Sequence, residues 1–191
     1  MGIKYYRKES PLKQLVDSIF VEEYDKISEE IWYHGSDRPI DKFQLSKVGR
    51  EGRISFYYGH GIYFINSNER AQKYGEVVTK VRIDPNANIM RNQVTHEQVT
   101  SVYQQLNRDN VKLQDYDHEF FLNPKYHEYS VLTDVLEFYD YLVRRFRENY
   151  SSMILVSDFL KRAGIDGMQV TNDVGDEILV VFNQDIITVI E

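Results

Sequence analysis

A histidine at the end of a short apolar segment is the first residue of this chain whose type and position suit ligand binding. His34 follows the apolar residues 31–33 and precedes Gly35 and Ser36. An imidazole at the end of a strand can donate or accept a hydrogen bond with a ligand hydroxyl group. Glycine lets main chain approach a ligand closely because it has no Cβ atom. We therefore expect residues 31–36 to form a strand that runs into a turn at a binding site.

Two tyrosines could clamp a flat ring. Tyr63 lies in the strand-like run 61–65, and Tyr74 ends a short helix predicted over residues 69–74, with residues 66–68 as its cap and Gly75 as its stop. A tyrosine on a strand and a tyrosine on the helix above it present two aromatic faces for stacking. Taken singly, each tyrosine is more typical of a core residue, so their joint placement carries the interpretation.

Acidic residues near the C-terminus could supply a catalytic carboxylate. Glu177 stands directly before an apolar strand predicted over residues 178–182, and Asp176 and Asp173 lie in the preceding turn, predicted over residues 172–176. A carboxylate can stabilise a positive charge that develops on a substrate, and it can orient or deprotonate an acceptor group. The sequence favours Glu177 for this role, with Asp176 and Asp173 as alternatives. The alternative that these acidic residues only form a solvated turn remains open as well.

Three segments together resemble the ADP-ribosyltransferase superfamily, in the diphtheria-toxin and PARP-like branch named after a His-Tyr-Glu triad. They are Tyr33-His34-Gly35-Ser36, then Gly61-Ile62-Tyr63-Phe64 continuing to Ala71-Gln72-Lys73-Tyr74-Gly75, and finally Glu177 to Asn183. Their order and the 11-residue interval between the two tyrosines match that branch. The sequence is most similar in character to compact bacterial and phage ADP-ribosyltransferase domains. The resemblance spans residues 31–84 and 157–191.

The resemblance implies that NAD⁺ is a co-substrate and assigns roles to individual residues. His34, Tyr63 and Glu177 take the catalytic positions, with His34 on the ribose hydroxyls. Gly35, Ser36 and Tyr74 join His34 and Tyr63 around the nicotinamide. Because guanidinium groups suit phosphate oxygens, we further expect a pyrophosphate site to be formed by Arg50, Arg53 and Ser46.

Two positions depart from the pattern of the family. If Phe182 and Asn183 are aligned with the aromatic-Asn pair of the PARP branch, the glutamate position falls on Ile178. Glu177 then requires a one-residue bulge or shift. The branch also commonly has a serine three residues before its second tyrosine, and Ala71 stands there.

The composition of the chain disfavours several classes of protein. The chain has 191 residues, a net charge of −7 and no cysteine. A cysteine-free chain has no disulfide framework, and its acidic balance disfavours a broad nucleic-acid surface. We expect no membrane-spanning segment, no secretory signal and a cytoplasmic location, which includes the cytoplasm of a host or target cell. We also expect no metal site, since His96, His118 and His127 show no compact ligand spacing.

The order of predicted elements indicates a single α+β domain over residues 1–191, with a split mixed β-sheet of the ADP-ribosyltransferase type. An amphipathic helix is predicted within residues 1–30, and residues 93–150 are predicted to be a helical insertion. Residues 37–60 are expected to form a long loop with at most a short helix. A further strand is predicted over 77–83, and the predicted C-terminal elements are a helix over 157–163 and strands over 167–171, 178–182 and 186–190.

The predicted function is mono-ADP-ribosylation of a macromolecule, most plausibly a protein, by a monomeric bacterial or phage effector that releases nicotinamide. NAD⁺ glycohydrolysis is an alternative that the same residues serve. A catalytically silent module that binds NAD⁺ or a partner is another. An RNA 2′-phosphotransferase is disfavoured because its basic phosphate-binding residues are not evident in this acidic chain.

Overall fold

A computed structural model of the chain describes residues 31–47, 58–111, 121, 134–146 and 150–190. The strands are β1 Trp32–Ser36, β2 Ile62–Ile65, β3 Val77–Ile83, β4 Ile89–Arg91, β5 Gly167–Thr171, β6 Glu177–Val181 and β7 Ile187–Ile190. The helices are α1 Asn68–Ala71, α2 His96–Arg108, α3 Val135–Arg145 and α4 Tyr150–Arg162, with short 3-10 turns at Leu45–Lys47 and Gln184–Ile186. The helix predicted within residues 1–30 lies outside the described residues.

The seven described strands form one mixed sheet in the order β4-β5-β6-β2-β1-β3-β7. Neighbouring strands are antiparallel except β4 and β5, which are parallel. The central strands β6, β2 and β1 are thus adjacent in space although they are distant in sequence. This sheet with helices grouped between its strands confirms the predicted α+β class.

Two hydrophobic cores cover the two faces of the sheet. Side chains alternate between the faces along each strand. The helix-side core contains Ile178 and Val180 of β6 with apolar residues of α2, α3 and α4. The opposite-side core contains Leu179 and Val181 of β6 with residues from other strands and from the segment after β1, among them Trp32, Phe43, Ile62 and Phe64. The face on which a strand residue lies can therefore be read from these cores.

The helices from the middle of the chain are integral to the domain. Helix α2 begins at a full capping box, in which Thr95 and Gln98 exchange side-chain and backbone hydrogen bonds, and α3 begins at the cap Asp134. Val102 and Phe138, from these two helices, are fully buried in the helix-side core beneath β5 and β6. The helices of the section predicted as an insertion thus contribute to the helix-side core, which packs against the central strands.

Several boundaries differ from the sequence predictions. Helix α4 begins at Tyr150 rather than at residue 157. Strand β4 was not predicted, because its three residues carry no periodic pattern of their own and it is recognisable only by its pairing with β5. Within the described residues, no helix is long and apolar enough to cross a membrane.

Candidate active site

A gap opens between the central strands β1 and β2. These strands pair only at Tyr33 and Ile65, whereas β1 pairs with β3 along its whole length. If the register continued, Gly35 would face Tyr63. Instead the imidazole Nδ1 of His34 lies 2.7 Å from the carbonyl oxygen of Tyr63. The His34 side chain thus bridges the two strands where Gly35 and Tyr63 are no longer paired, and this unpaired stretch is the gap.

The hydrogen bond and the surroundings of His34 fix its tautomer. A carbonyl oxygen only accepts, so Nδ1 donates, and in the neutral ring Nε2 is left as an acceptor. Phe43 and Phe64 contact the ring edge-on, with ring centroids 5.1 and 5.8 Å from that of His34. Burial lowers the pKa of His34, and this outweighs the bond to the Tyr63 carbonyl, which raises it. At neutral pH His34 is therefore an uncharged acceptor suited to a ligand hydroxyl group.

Burial of His34 predicts a pH dependence of stability. Because its pKa is lowered in the folded chain, the unfolded chain binds more protons below about pH 6.5, so acidification disfavours folding. We expect the free energy of unfolding of the wild type, minus that of a His34→Gln variant, to decrease as the pH falls below about 6.5. Denaturant titrations of both proteins across this range measure it. A difference that stays constant with pH would contradict the assignment of a buried neutral ring.

Two glycines bring the end of helix α1 onto strand β1. A Cβ atom added to Gly35 would lie 2.0 Å from the carbonyl oxygen of Ala71 and 3.1 Å from the Cβ of Tyr74. A Cβ added to Gly75 would lie 2.3 Å from the Ser36 carbonyl. Gly75 is therefore required by close packing and is not the left-handed helix stop that the sequence predicted. That prediction was wrong, because α1 ends at Ala71 and the φ of Gly75 is not positive.

The contact between Gly35 and Ala71 predicts a specific cost of adding one methyl group. Gly35→Ala places a Cβ against a backbone oxygen that cannot move alone, and we expect a loss of about 1–3 kcal/mol in unfolding free energy. The neighbouring variant Ser36→Ala adds no atom and is the matched control, with an expected loss below about 1 kcal/mol. Urea titration of the three proteins measures both values. Equal stability of Gly35→Ala and wild type would show that α1 does not pack on β1 in this way.

The same packing places Tyr74 directly above Gly35. The side chain of Tyr74 is 67% exposed although its Cβ is held against the strand. Tyr58 lies nearby, and its pKa is raised by burial first and then by the negative charge of Asp173. An anchored but exposed aromatic ring next to a glycine edge is the arrangement expected of a stacking surface. The predicted role of Tyr74 stays a prediction with this geometry in its support.

The ring of Tyr63 lies on the helix-side face, and its hydroxyl group is engaged by backbone. The hydroxyl donates to the carbonyl oxygen of Gly59 at 2.5 Å and accepts from the amide of Tyr58 at 3.2 Å. Burial raises the pKa of Tyr63 far above its ordinary range, so the group remains a neutral phenol. The hydroxyl group of Tyr63 thus holds the turn before β2, while its ring packs against the helix-side core.

Glu177 and Asp176 lie on opposite faces of the sheet. The register of β2 and β6 is regular, with Ile65 opposite Ile178 and Ile62 opposite Val181, so β6 contains no bulge where it pairs with β2. By alternation Glu177 shares the face of Leu179 in the opposite-side core, which is also the face of Phe64 and His34. Glu177 therefore shares a face with His34 without the bulge or shift that the family alignment required.

The two acids also differ in how many of their carboxylate oxygens have a hydrogen-bond or ion-pair partner. One carboxylate oxygen of Glu177, Oε2, accepts a hydrogen bond from the side-chain amide of Asn66 at 3.3 Å. Asp176 uses both oxygens: Oδ1 pairs with Nε of Arg70 at 3.3 Å, and Oδ2 accepts from the side chain of Asn172 at 3.2 Å. Asp176 thus connects the β5–β6 hairpin with Arg70 of α1, and both of its carboxylate oxygens have a partner. Asp173 is exposed in the turn.

Part of the predicted site lies outside the described residues. Arg50 and Arg53 lie outside the described residues, as do His118 and His127, and Ser46 is exposed in the 3-10 turn after β1. Ser36 donates to the Arg38 carbonyl at 2.8 Å. In the part of the chain that the structure describes, no group of three His, Asp or Glu residues could hold a metal ion.

Sequence reasoning missed two residues that contact the candidate acids, Asn66 and Arg70. It interpreted residues 66–68 only as a helix cap, and the structure confirms that part, since the Ser67 hydroxyl accepts from the Arg70 amide. The signal for the missed contacts is the position of Asn66 directly after β2, where it meets the first residue of the neighbouring strand β6. Pairing of β2 with β6 had to be known to recognise it.

Comparisons with known proteins identify the family to which the chain belongs. A family model described as "ADP-Ribosyltransferase in polyvalent proteins" matches residues 29–190. The match includes the middle helices that lay outside the resemblance found by motif. No curated protein matches the chain. Among solved structures, one described as "Crystal structure of an anti-CRISPR protein" aligns over 86% of this chain and 97% of its own, with 12% identity and a TM-score of 0.43. The family match covers most of the chain, which therefore belongs to the ADP-ribosyltransferase family found in polyvalent proteins.

Proposed function

We propose that this chain is a mono-ADP-ribosyltransferase that transfers ADP-ribose from NAD⁺ to a protein and releases nicotinamide. ADP-ribosyltransferase domains use NAD⁺ as co-substrate, and the family match supports this activity in general. The observation that carries the proposal is the gap between β1 and β2, where His34 bridges to the Tyr63 carbonyl and Tyr74 stands over Gly35. The residues around this gap are His34, which can accept a hydrogen bond from a ligand hydroxyl group, the glycine Gly35, and the aromatic residues Tyr63 and Tyr74.

The residues around the gap fit the two ends of a nicotinamide riboside. The nicotinamide ring stacks between Tyr63 and Tyr74, and its carboxamide group bonds the main-chain edge of Gly35. The uncharged Nε2 of His34 accepts a hydrogen bond from a ribose hydroxyl group. The ring and the sugar are thus held by different residues, which fixes the glycosidic bond that joins them. Holding a substrate close to its reactive geometry lowers the entropic part of the barrier.

Glu177 is the carboxylate that we assign to the reacting sugar. As the glycosidic bond breaks, its electron pair leaves with nicotinamide and positive charge develops on the ribose. A carboxylate with one oxygen held by Asn66 and the other available can stabilise that charge and take the proton of the incoming acceptor. Strands β1 and β6 flank β2, so their axes are about 10 Å apart, a distance that a ribose with two extended side chains can span.

The acceptor is proposed to be a protein side chain. The chain is acidic, with a net charge of −7, which favours a protein over a nucleic acid as partner. NAD⁺ glycohydrolysis differs only in that water takes the place of the acceptor. We propose a role as a phage or bacterial effector acting in a cytoplasm, and we infer it from the resemblance to compact phage and bacterial domains.

The experiment that tests the function measures nicotinamide release and follows the ADP-ribose. The purified chain is incubated with labelled NAD⁺, with and without bacterial lysate, and the products are separated by mass. Release that requires lysate and labels a protein supports the transferase. Release without lysate that yields free ADP-ribose supports the glycohydrolase instead, and NAD⁺ binding without release supports a silent module.

A matched pair of surface variants shows whether the activity belongs to this site. Tyr74 is 67% exposed, so Tyr74→Ala removes the stacking ring without opening a core cavity. Its exposed neighbour supplies the control Lys73→Ala. We expect NAD⁺ turnover to fall in the first variant and to be unchanged in the second.

A further inference from the structure

The turn that enters β2 is held by hydroxyl groups from three separate elements. Within residues 58–61, the carbonyl of Gly59 accepts from Tyr63 of β2 at 2.5 Å, and the carbonyl of His60 accepts from Ser157 of α4 at 2.5 Å. The hydroxyl group of Tyr139, on α3, lies 3.4 Å from that of Ser157. Two successive carbonyls of one turn are thus bonded by side chains that are far apart in sequence.

The packing around this turn leaves little room for another position. Gly59 is buried, has a φ of +93° and lies against Tyr139 so closely that an added Cβ would be 2.3 Å from the phenol oxygen. Ser157 and Tyr139 are each only 3% exposed. Tyr139 also stacks on Phe182 at the end of β6, with ring centroids 6.2 Å apart. The turn is therefore fixed to buried side chains of the helix-side core.

We infer that Ser157 and Tyr139 are positioning residues for the nicotinamide site, an inference that rests on the proposed function. They hold the Gly59 and His60 backbone, and the Gly59 carbonyl in turn holds the hydroxyl group of Tyr63. The tyrosine ring then presents one fixed face to the gap. Helices α3 and α4 thereby set the geometry of the stacking site although neither touches the nicotinamide.

The test uses the full chain with Ser157→Ala and Tyr139→Phe, which remove single oxygen atoms. Because the lost bonds orient a binding group, we expect the KM for NAD⁺ to rise by about fivefold to tenfold in each variant, with a smaller change in kcat. Amide hydrogen exchange, followed by mass spectrometry, is expected to become faster in residues 58–63. Ser157→Thr keeps the hydroxyl group and is expected to retain the wild-type exchange of this segment.

A control variant separates positioning from the general loss of a tyrosine hydroxyl group from this part of the domain. Tyr103 stacks on Phe121 in the same helix-side core, and Tyr103→Phe is expected to leave both the KM and the exchange of residues 58–63 unchanged. If the wild type turns over NAD⁺ and the Ser157 and Tyr139 variants keep its KM and its exchange pattern, the positioning inference is overturned alone. If the wild type neither binds nor consumes NAD⁺, the proposed function fails and this inference fails with it.

Discussion

Replacing His34 with alanine is expected to reduce nicotinamide release from NAD⁺ by about 100-fold or more. In the proposed function the imidazole has two tasks. Its Nδ1 bonds the Tyr63 carbonyl and so bridges β1 and β2, and in the proposed function its Nε2 accepts a hydrogen bond from the ribose. Alanine removes both contacts, so the loss should appear in kcat as well as in KM. Steady-state kinetics with a chromatographic assay of nicotinamide measures both constants.

Two further variants separate the contributions of His34 from a general loss of structure. His34→Gln can keep one hydrogen bond to the Tyr63 carbonyl and is expected to recover part of the activity. His96→Ala removes an exposed histidine at the start of α2 and is expected to have wild-type activity. Wild-type kcat in folded His34→Ala would exclude this histidine from the reaction, and the assignment of the gap as the nicotinamide site would be lost with it.

Local patterns in the sequence were sufficient to predict the elements that carry the site. The β3 and β5 boundaries were predicted as the structure has them, and β2 and β6 within one residue. Each of these strands has continuous or alternating apolar residues and ends at Gly, Pro or Asn, so its signal is local. The motif His34-Gly35-Ser36 was correctly placed at the end of β1, except that its three residues continue the strand and do not form a turn.

What could not be predicted depends on contacts between distant segments. Whether Glu177 or Asp176 shares a face with His34 follows from the register of β6 against β2, which the sequence does not state. The need for glycine at Gly75 follows from its contact with Ser36 and is invisible in the sequence of α1. The role of Ser157 likewise requires α4 to be packed beneath the turn before β2. Residue types indicated the chemistry, whereas the faces and contacts of the individual side chains follow only from the tertiary arrangement.

Comparison of Glu177→Gln with Asp176→Asn is expected to separate a catalytic carboxylate from a structural one. Glutamine keeps the shape of Glu177 and its contact with Asn66 but cannot stabilise a positive charge or take a proton. We expect Glu177→Gln to lower kcat by about 100-fold or more, with little change in the affinity for NAD⁺ and none in the unfolding temperature. Isothermal calorimetry with NAD⁺ and the nicotinamide assay measure affinity and rate on the same protein samples.

Asp176→Asn should produce the opposite pattern. It weakens the ion pair with Arg70 and alters the bond to Asn172, and because Arg70 is partly exposed, the expected cost in stability is about 1 kcal/mol or less. Its kcat should stay within about threefold of wild type, since a positioning change of this size corresponds to less than 1 kcal/mol. Arg70→Gln breaks the same pair from the other side and should behave like Asp176→Asn. A large fall in kcat for Asp176→Asn, with Glu177→Gln unaffected, would transfer the carboxylate role to Asp176 and place the reacting sugar on the face that carries Tyr63 and α1.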